Sequence, residues 1–241
     1  MSRDRRFAAR FNSQNIEMIR GRRFATVVCA GVSAVKWLAN KQPENDRAAI
    51  NRLMDCLVGV TAARFVLIST IDVYRDPWGQ TERDEPSTDG LHPYGLHRLE
   101  LEDFVRRRFP VSTIARLPGL FGSGLKKNII HDMIHLNSPE NVASNAAFQW
   151  YHTRRLADDL DRIVAADIEL INVTAEPIAT GEIRDRFFPH VPLGAVVPDP
   201  PRYDVRSVHD TVLGGHGGYH FSAGQVLLEL GSFLAEPRAA T

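Results

Sequence analysis

Short unbroken apolar runs alternate along this chain with longer stretches in which apolar residues recur every three or four positions. Phe24–Ala30 (FATVVCA) is apolar and β-branched and stops at Gly31, the signature of a buried strand. From Pro43 to Ala62, Ile50, Leu53, Met54, Leu57 and Val60 keep helical spacing. Phe65–Thr70 (FVLIST) is again continuous, as a parallel strand covered on both faces should be. Pro93 opens a helix running to about Arg108, with Glu102 and Arg106 one turn apart as a salt pair. Val111–Leu117 reads as a strand stopped by Pro118 and Gly119, and Ile168–Val173 as another. Lys126–Leu136 and Arg154–Ala166 read as helices, and Val226, Leu227, Leu230, Phe233 and Leu234 mark a last one. Strands alternating with helices predict an α/β fold, a Rossmann-like parallel sheet with helices on both faces.

The polar, proline-containing loop from Arg75 to Gly90 is long enough to be functional. Around Arg186–Gly194 the pattern weakens, and no repeat or linker divides the 241 residues, which suit one domain. Apolar residues make up 44% of the chain, enough for a proper core. The 29 basic and 29 acidic residues cancel, which argues against a nucleic-acid or membrane-surface partner. The basic residues of MSRDRRFAAR read as solvated helix surface. Cys29 and Cys56 offer neither a metal spacing nor a disulfide framework. With no apolar run long enough for a bilayer and no secretory signal pattern, a cytoplasmic protein is expected.

Three motifs fall in a telling order. FVLISTIDVY ends a strand, HPYGLHR begins the next helix, and ARLPGLFGSG follows the strand after that. The ordered set resembles the extended short-chain dehydrogenase/reductase family, in its NAD-dependent epimerase/dehydratase branch, over roughly residues 11–190. The resemblance implies Tyr94 as the catalytic tyrosine and Thr70 as its hydroxyl partner, with Arg98 in the place of the family's lysine. It further implies that Ala30, Gly31, Ser69, Arg98 and Pro118 line a nicotinamide cofactor, NAD or NADP. Asp72, Asn128 and Trp150 would then face the substrate, and the chain from about residue 120 onward would build a substrate lobe. In the dehydratase branch acidic residues follow the catalytic threonine directly. Here Ile71 takes the first of those positions and only Asp72 is acidic, which argues against a carboxylate pair.

Elementary chemistry supports part of this. Tyr94 and Arg98 stand one helical turn apart and share a face. A free tyrosine titrates near pH ~10, and a nearby cation favours the phenolate. Arginine supplies that charge but gives up no proton, and its planar fork would hold a ribose differently from lysine.

What such a cofactor site also needs is a strand, a glycine-rich turn and a helix whose N-terminus meets the pyrophosphate. No such unit precedes FATVVCAG, so the expectation is a fold lacking its first strand and helix, the chain entering at the tail of that helix and passing into the second strand. Either the start is an internal methionine, or the unit is genuinely lost and the flanking strands pair directly. Gly119, Gly122 and Gly124 run in the reverse order of the fingerprint and read as a substrate loop, and the glycines at 214–218 as a flexible turn.

Other chemistries fit less well. His131 and His135 imitate a zinc-protease helix, but Asp132 is short for the glutamate's work and no third ligand beyond His152 suggests itself. No G-x-S-x-G elbow exists for a serine hydrolase. The sequence therefore predicts a nucleotide-sugar or related polyol epimerase, dehydratase or reductase, possible as a homodimer, with a small-molecule substrate. The alternative is a redox-inactive relative that binds a sugar nucleotide or a partner subunit.

Overall fold

A computed structural model describes residues 7–236, so the first six residues, with most of the basic cluster at the start, lie outside it. In chain order the elements are β1 (Arg23–Cys29), α1 (Lys36–Lys41), α2 (Pro43–Leu57), β2 (Thr61–Thr70), α3 (Pro93–Arg108), β3 (Ser112–Leu117) and β4 (Gly119–Phe121). There follow α4 (Ile129–His135), β5 (Ala147–Phe148), β6 (Trp150–His152), α5 (Leu156–Ala165), β7 (Leu170–Asn172), β8 (Ile178–Ala179), α6 (Thr180–Phe187) and α7 (Ala223–Ala235).

The main sheet has the order β1-β2-β3-β7, and all three pairings are parallel. Residues alternate between its faces, as the two-residue period of a strand requires. Phe65, Leu67 and Ile114 pack with Ile50, Leu57, Leu101 and Val105 of α2 and α3. Val66, Ala115 and Ile171 pack on the other side with Leu160, Ile163, Val226 and Leu230 of α5 and α7. Helices therefore cover both faces, and the expected α/β architecture is what forms.

Two boundaries move for local reasons. The helix expected to reach Ala62 stops at Leu57, where Val58 and Gly59 turn the chain and Val60 bonds back to the Leu57 carbonyl. The helix expected from Lys126 starts at Ile129, because the Asn128 side chain caps it, accepting from the His131 N–H at 3.0 Å. The two-stranded pairs β4-β6 and β5-β8 went unforeseen, being too short to leave a periodic signal.

β1 pairs directly with β2, from Arg23 opposite Thr61 to Cys29 opposite Leu67. The strand order is strictly sequential, as in one wing of a doubly wound sheet, whose dinucleotide crevice lies where the order reverses. Among the described residues the sheet does not reverse, and the outer edge of β1 is unpaired. The second strand of a doubly wound sheet lies on the opposite wing. Reading FATVVCA as that strand therefore does not match its place beside the strand that carries Thr70.

Candidate active site

β2, buried through its middle, ends at Thr70, and the chain turns tightly through Ile71–Val73. The Thr70 hydroxyl caps that turn by accepting from the Asp72 N–H at 3.1 Å. α3 is pressed onto the turn one residue after Tyr94. A methyl group on Gly95 would stand 2.2 Å from the Asp72 carbonyl oxygen, so only glycine permits the approach. Pro93 occupies the first turn of α3, and His92 caps it by accepting from the Gly95 N–H at 3.0 Å. These devices bring Tyr94 and Thr70 together at the carboxyl end of the sheet.

Tyr94 is 7% exposed. Burial pushes its phenol above the ordinary tyrosine range, and the nearby Asp72 carboxylate pushes the same way. The Arg98 charge and the contacts with Thr70 and Arg98 pull it down. Burial wins, so the arginine does not deliver the lowered phenol that charge proximity alone suggested, and Tyr94 is protonated at neutral pH. The Arg98 guanidinium lies over the Tyr94 ring, 3.7 Å from its centroid.

Arg98 is itself occupied. Its Nη1 donates to Asp46 Oδ2 at 2.7 Å and to the Tyr94 carbonyl at 3.0 Å. Its Nη2 donates to the Ser33 carbonyl at 2.6 Å and to Asp46 Oδ1 at 3.0 Å. His97 shares the same carboxylate, with Nδ1 2.7 Å from Asp46 Oδ2. The Asp46 carboxyl is held below the ordinary range although burial works against it, through the bonds to Arg98 and His97. The arginine thus clamps α3 to α2 and to the loop after β1.

Three residues that the sequence reading passed over complete the cluster. Lys36 Nζ donates to Asp72 Oδ1 at 2.6 Å and to the Tyr203 hydroxyl at 2.9 Å. That hydroxyl donates in turn to Asp72 Oδ1 at 2.7 Å. Thr70 Oγ1 donates to Asp72 Oδ2 at 3.3 Å, and His92 Nε2 stands 4.0 Å from Asp72 Oδ1. The His92 imidazole is pushed below its ordinary range by burial and by the Lys36 charge, with Asp72 opposing. Lys36 carried a usable signal, being a cation a few residues beyond a strand's carboxyl end, where it opens α1. Tyr203 carried none, because only the fold brings a residue so far along the chain beside Asp72.

The remaining expected site residues are placed as follows. Ala30 and Gly31 lie exposed at the end of β1, and a methyl group on Gly31 would meet nothing. Ser69 donates to Glu102 at 2.5 Å, beneath the site, and Pro118 is buried after β3. Asn128 spends both ends of its amide on structure, capping α4 and donating to the Leu120 carbonyl at 2.7 Å. Trp150 is buried against Gly119, and its indole N–H has no partner among the described residues. His131 and His135 lie with ring centroids 4.3 Å apart and planes tilted by 40°. The Glu102/Arg106 pair forms at 3.2 Å, and Glu102 is bound more closely by Arg116 at 2.6 Å. A cleft of about 800 Å³ lies elsewhere, along Ser144, Asn145, Gly181, Glu182, Arg184 and Arg186. It is open and holds none of the clustered residues.

No protein-family model matches the sequence, and no curated protein matches it either. Solved structures match closely in shape. The dTDP-4-dehydrorhamnose reductase of Clostridium acetobutylicum superposes with a TM-score of 0.67 at 18% identity, over 87% of this chain and 80% of that one. The corresponding reductase of Bacillus anthracis, solved in complex with NADP, gives 0.68 at 16% identity, over 89% and 81%. UDP-N-acetylglucosamine 4-epimerase of Bacillus cereus gives 0.60 at 15% identity, over 92% and 83%. At these identities the likeness is one of fold: the chain has the Rossmann-like α/β fold of these reductases and epimerases.

Proposed function

We propose that this protein binds a nucleotide sugar, or a related polyol, at the carboxyl end of its sheet, with Tyr94 as the acid on a sugar oxygen. Thr70 is its hydroxyl partner, and the chain from about residue 120 onward serves as the substrate lobe. The observation that carries this reading is the meeting of Tyr94, Thr70 and Asp72 where the strands end, the edge at which open α/β sheets hold their ligands. The similarity in fold to nucleotide-sugar reductases and epimerases supports the choice of substrate class.

A phenol held above its ordinary range keeps its proton at neutral pH, so Tyr94 meets the substrate in the acid form, as a donor, though a weaker one than a free phenol. Tyr94 therefore donates its proton to a sugar oxygen that gains electron density. Thr70 steadies the same oxygen through its hydroxyl. Arg98 acts as a positioning residue, fixing the tyrosine ring from above and tying α3 to the loop at Ser33.

NAD or NADP is the group that the fold implies, and the described residues do not by themselves fit it. They provide no glycine-rich strand–turn–helix, Gly31 forms no close cradle, and the edge of β1 stands open. The four N–H groups at the ends of the Arg98 fork are bonded within the protein, which leaves only its Nε–H for a ribose. That last observation favours a second reading, a redox-inactive relative that holds a sugar nucleotide without hydride transfer.

Two measurements test these readings together. Calorimetric titration with UDP-glucose is expected to show saturable binding under both. Mixing the protein with dTDP-4-dehydrorhamnose and NADPH separates them. A fall in NADPH absorbance supports the acid-catalyst reading, and a flat trace with intact sugar-nucleotide binding supports the second. Absence of any sugar-nucleotide binding contradicts both.

A further inference from the structure

Lys36, Asp72 and Tyr203 come from three separate segments and meet on the open side of the Tyr94–Thr70 pair. The Lys36 side chain is 36% exposed and that of Asp72 is 18% exposed, so the cluster faces the mouth of the site while the pair lies deeper. An ammonium offers three N–H donors. Two go to Asp72 Oδ1 and the Tyr203 hydroxyl, and the third meets no protein acceptor among the described residues. Asp72 Oδ1 accepts from both neighbours, while Oδ2 receives only the 3.3 Å contact from Thr70 and keeps a lone pair open. A spare donor and a spare acceptor thus stand side by side, the arrangement that matches a hydroxyl, which gives one hydrogen bond and takes another.

Tyr203 adds an apolar wall. Its ring lies 5.5 Å from that of Phe148, and Lys36 lies over it at 5.6 Å. The backbone holds this wall in place. The Tyr203 N–H donates to the Ala147 carbonyl at 3.0 Å, and the Asp204 N–H to the Pro77 carbonyl at 2.7 Å. An apolar ring face beside a donor–acceptor pair suits a molecule with a C–H surface and hydroxyl groups along its rim. The groups facing Asp72 are the Lys36 ammonium and, at 4.0 Å, the titratable His92 ring, with no second carboxylate bonded to the cluster among the described residues.

We propose that Lys36, Asp72 and Tyr203 form a hydroxyl-reading subsite that selects sugars carrying a free hydroxyl beside the reacting carbon. It rests on the reading of Tyr94 and Thr70 as the groups that hold the reacting oxygen. Arg98, spent on Asp46 and two carbonyls, takes no part; Lys36 is the cation that meets the ligand. An analogue lacking the hydroxyl leaves both spare groups without a partner, which is how a polar site rejects it.

The test is calorimetric titration of the full chain with UDP, UDP-glucose and the monodeoxy analogues of UDP-glucose. One monodeoxy analogue is expected to bind wild type about 10–100-fold more weakly than UDP-glucose, the range of a hydrogen bond to a charged group. Lys36→Met is expected to lose the same factor for UDP-glucose while keeping wild-type affinity for UDP and for that analogue. Lys36→Arg should fall between, and Tyr203→Phe, which keeps the ring, should lose part of the discrimination. Equal losses for UDP and UDP-glucose in Lys36→Met, or no loss at all, would overturn the subsite. The deeper reading fails separately. If Lys36→Met is neutral but UDP-glucose still shifts the Tyr94 and Thr70 resonances, only the subsite is wrong. If wild type binds no UDP-glucose, both are.

Discussion

Replacing Tyr94 by phenylalanine is expected to lower sugar-nucleotide turnover by about 10²–10⁴-fold, the usual contribution of a positioned acid, while affinity changes little. The ring that Arg98 covers at 3.7 Å is kept, so the fold loses no packing. Only the proton goes. A steady-state comparison of kcat and KM reads the effect, with unfolding midpoints measured alongside to show that both proteins are folded. Turnover within about tenfold of wild type would fall below the range of such an acid and would remove Tyr94 from the chemistry.

The second large effect concerns the support beneath the site. Arg116 and Glu102 are buried completely, with Arg116 Nη2 donating to Glu102 Oε2 at 2.6 Å and Nε to Oε1 at 3.0 Å. Ser69 also donates to Glu102, and Arg116 Nη1 donates to the Tyr74 hydroxyl at 2.8 Å. The network thus ties β2, α3 and β3 together below Thr70. Arg116→Met keeps most of the apolar volume but leaves the buried Glu102 carboxylate only the partly exposed Arg106, at 3.2 Å, as a cation. Breaking one partner of a buried pair costs about 3–5 kcal/mol, and urea unfolding should show a loss of that order. The Glu102→Gln/Arg116→Met double variant should recover part of it, since contacting residues are not additive. A loss below about 1 kcal/mol, in the range of exposed pairs, would show that the network is not holding the layers.

The sequence made the layers legible because β2 and β3 are continuous apolar runs bounded by Pro, Gly and polar turns, and because their helices keep strict spacing. It also made Tyr94 and Arg98 legible as neighbours, since an i, i+4 relation on one helix is a local fact, whereas Thr70 was set beside them only by the family resemblance. The balance of forces on Tyr94 was not local. Burial outweighs Arg98 at the phenol, and that burial is set by the whole fold. The clamp role of Arg98 was hidden likewise, since Asp46 and Ser33 reach it across 52 and 65 positions of chain and no pattern around residue 46 announces that. Tyr203 was invisible for the same reason, lying 131 positions from the carboxylate it contacts. Gly95, by contrast, was in plain view beside Tyr94, and its meaning emerged only from the 2.2 Å approach that a methyl group would make.

The claim on which the rest depends is that the sugar nucleotide sits against Tyr94 and Thr70 and not in the cleft beside Arg184 and Gly181. Resonance mapping during titration with UDP-glucose tests it most directly. The account predicts saturable shifts of the Thr70, Asp72, Tyr94 and Tyr203 signals, with those of Asn145, Gly181 and Arg184 unmoved. Shifts confined to the cleft residues, with Tyr94 and Thr70 silent at saturation, would contradict it.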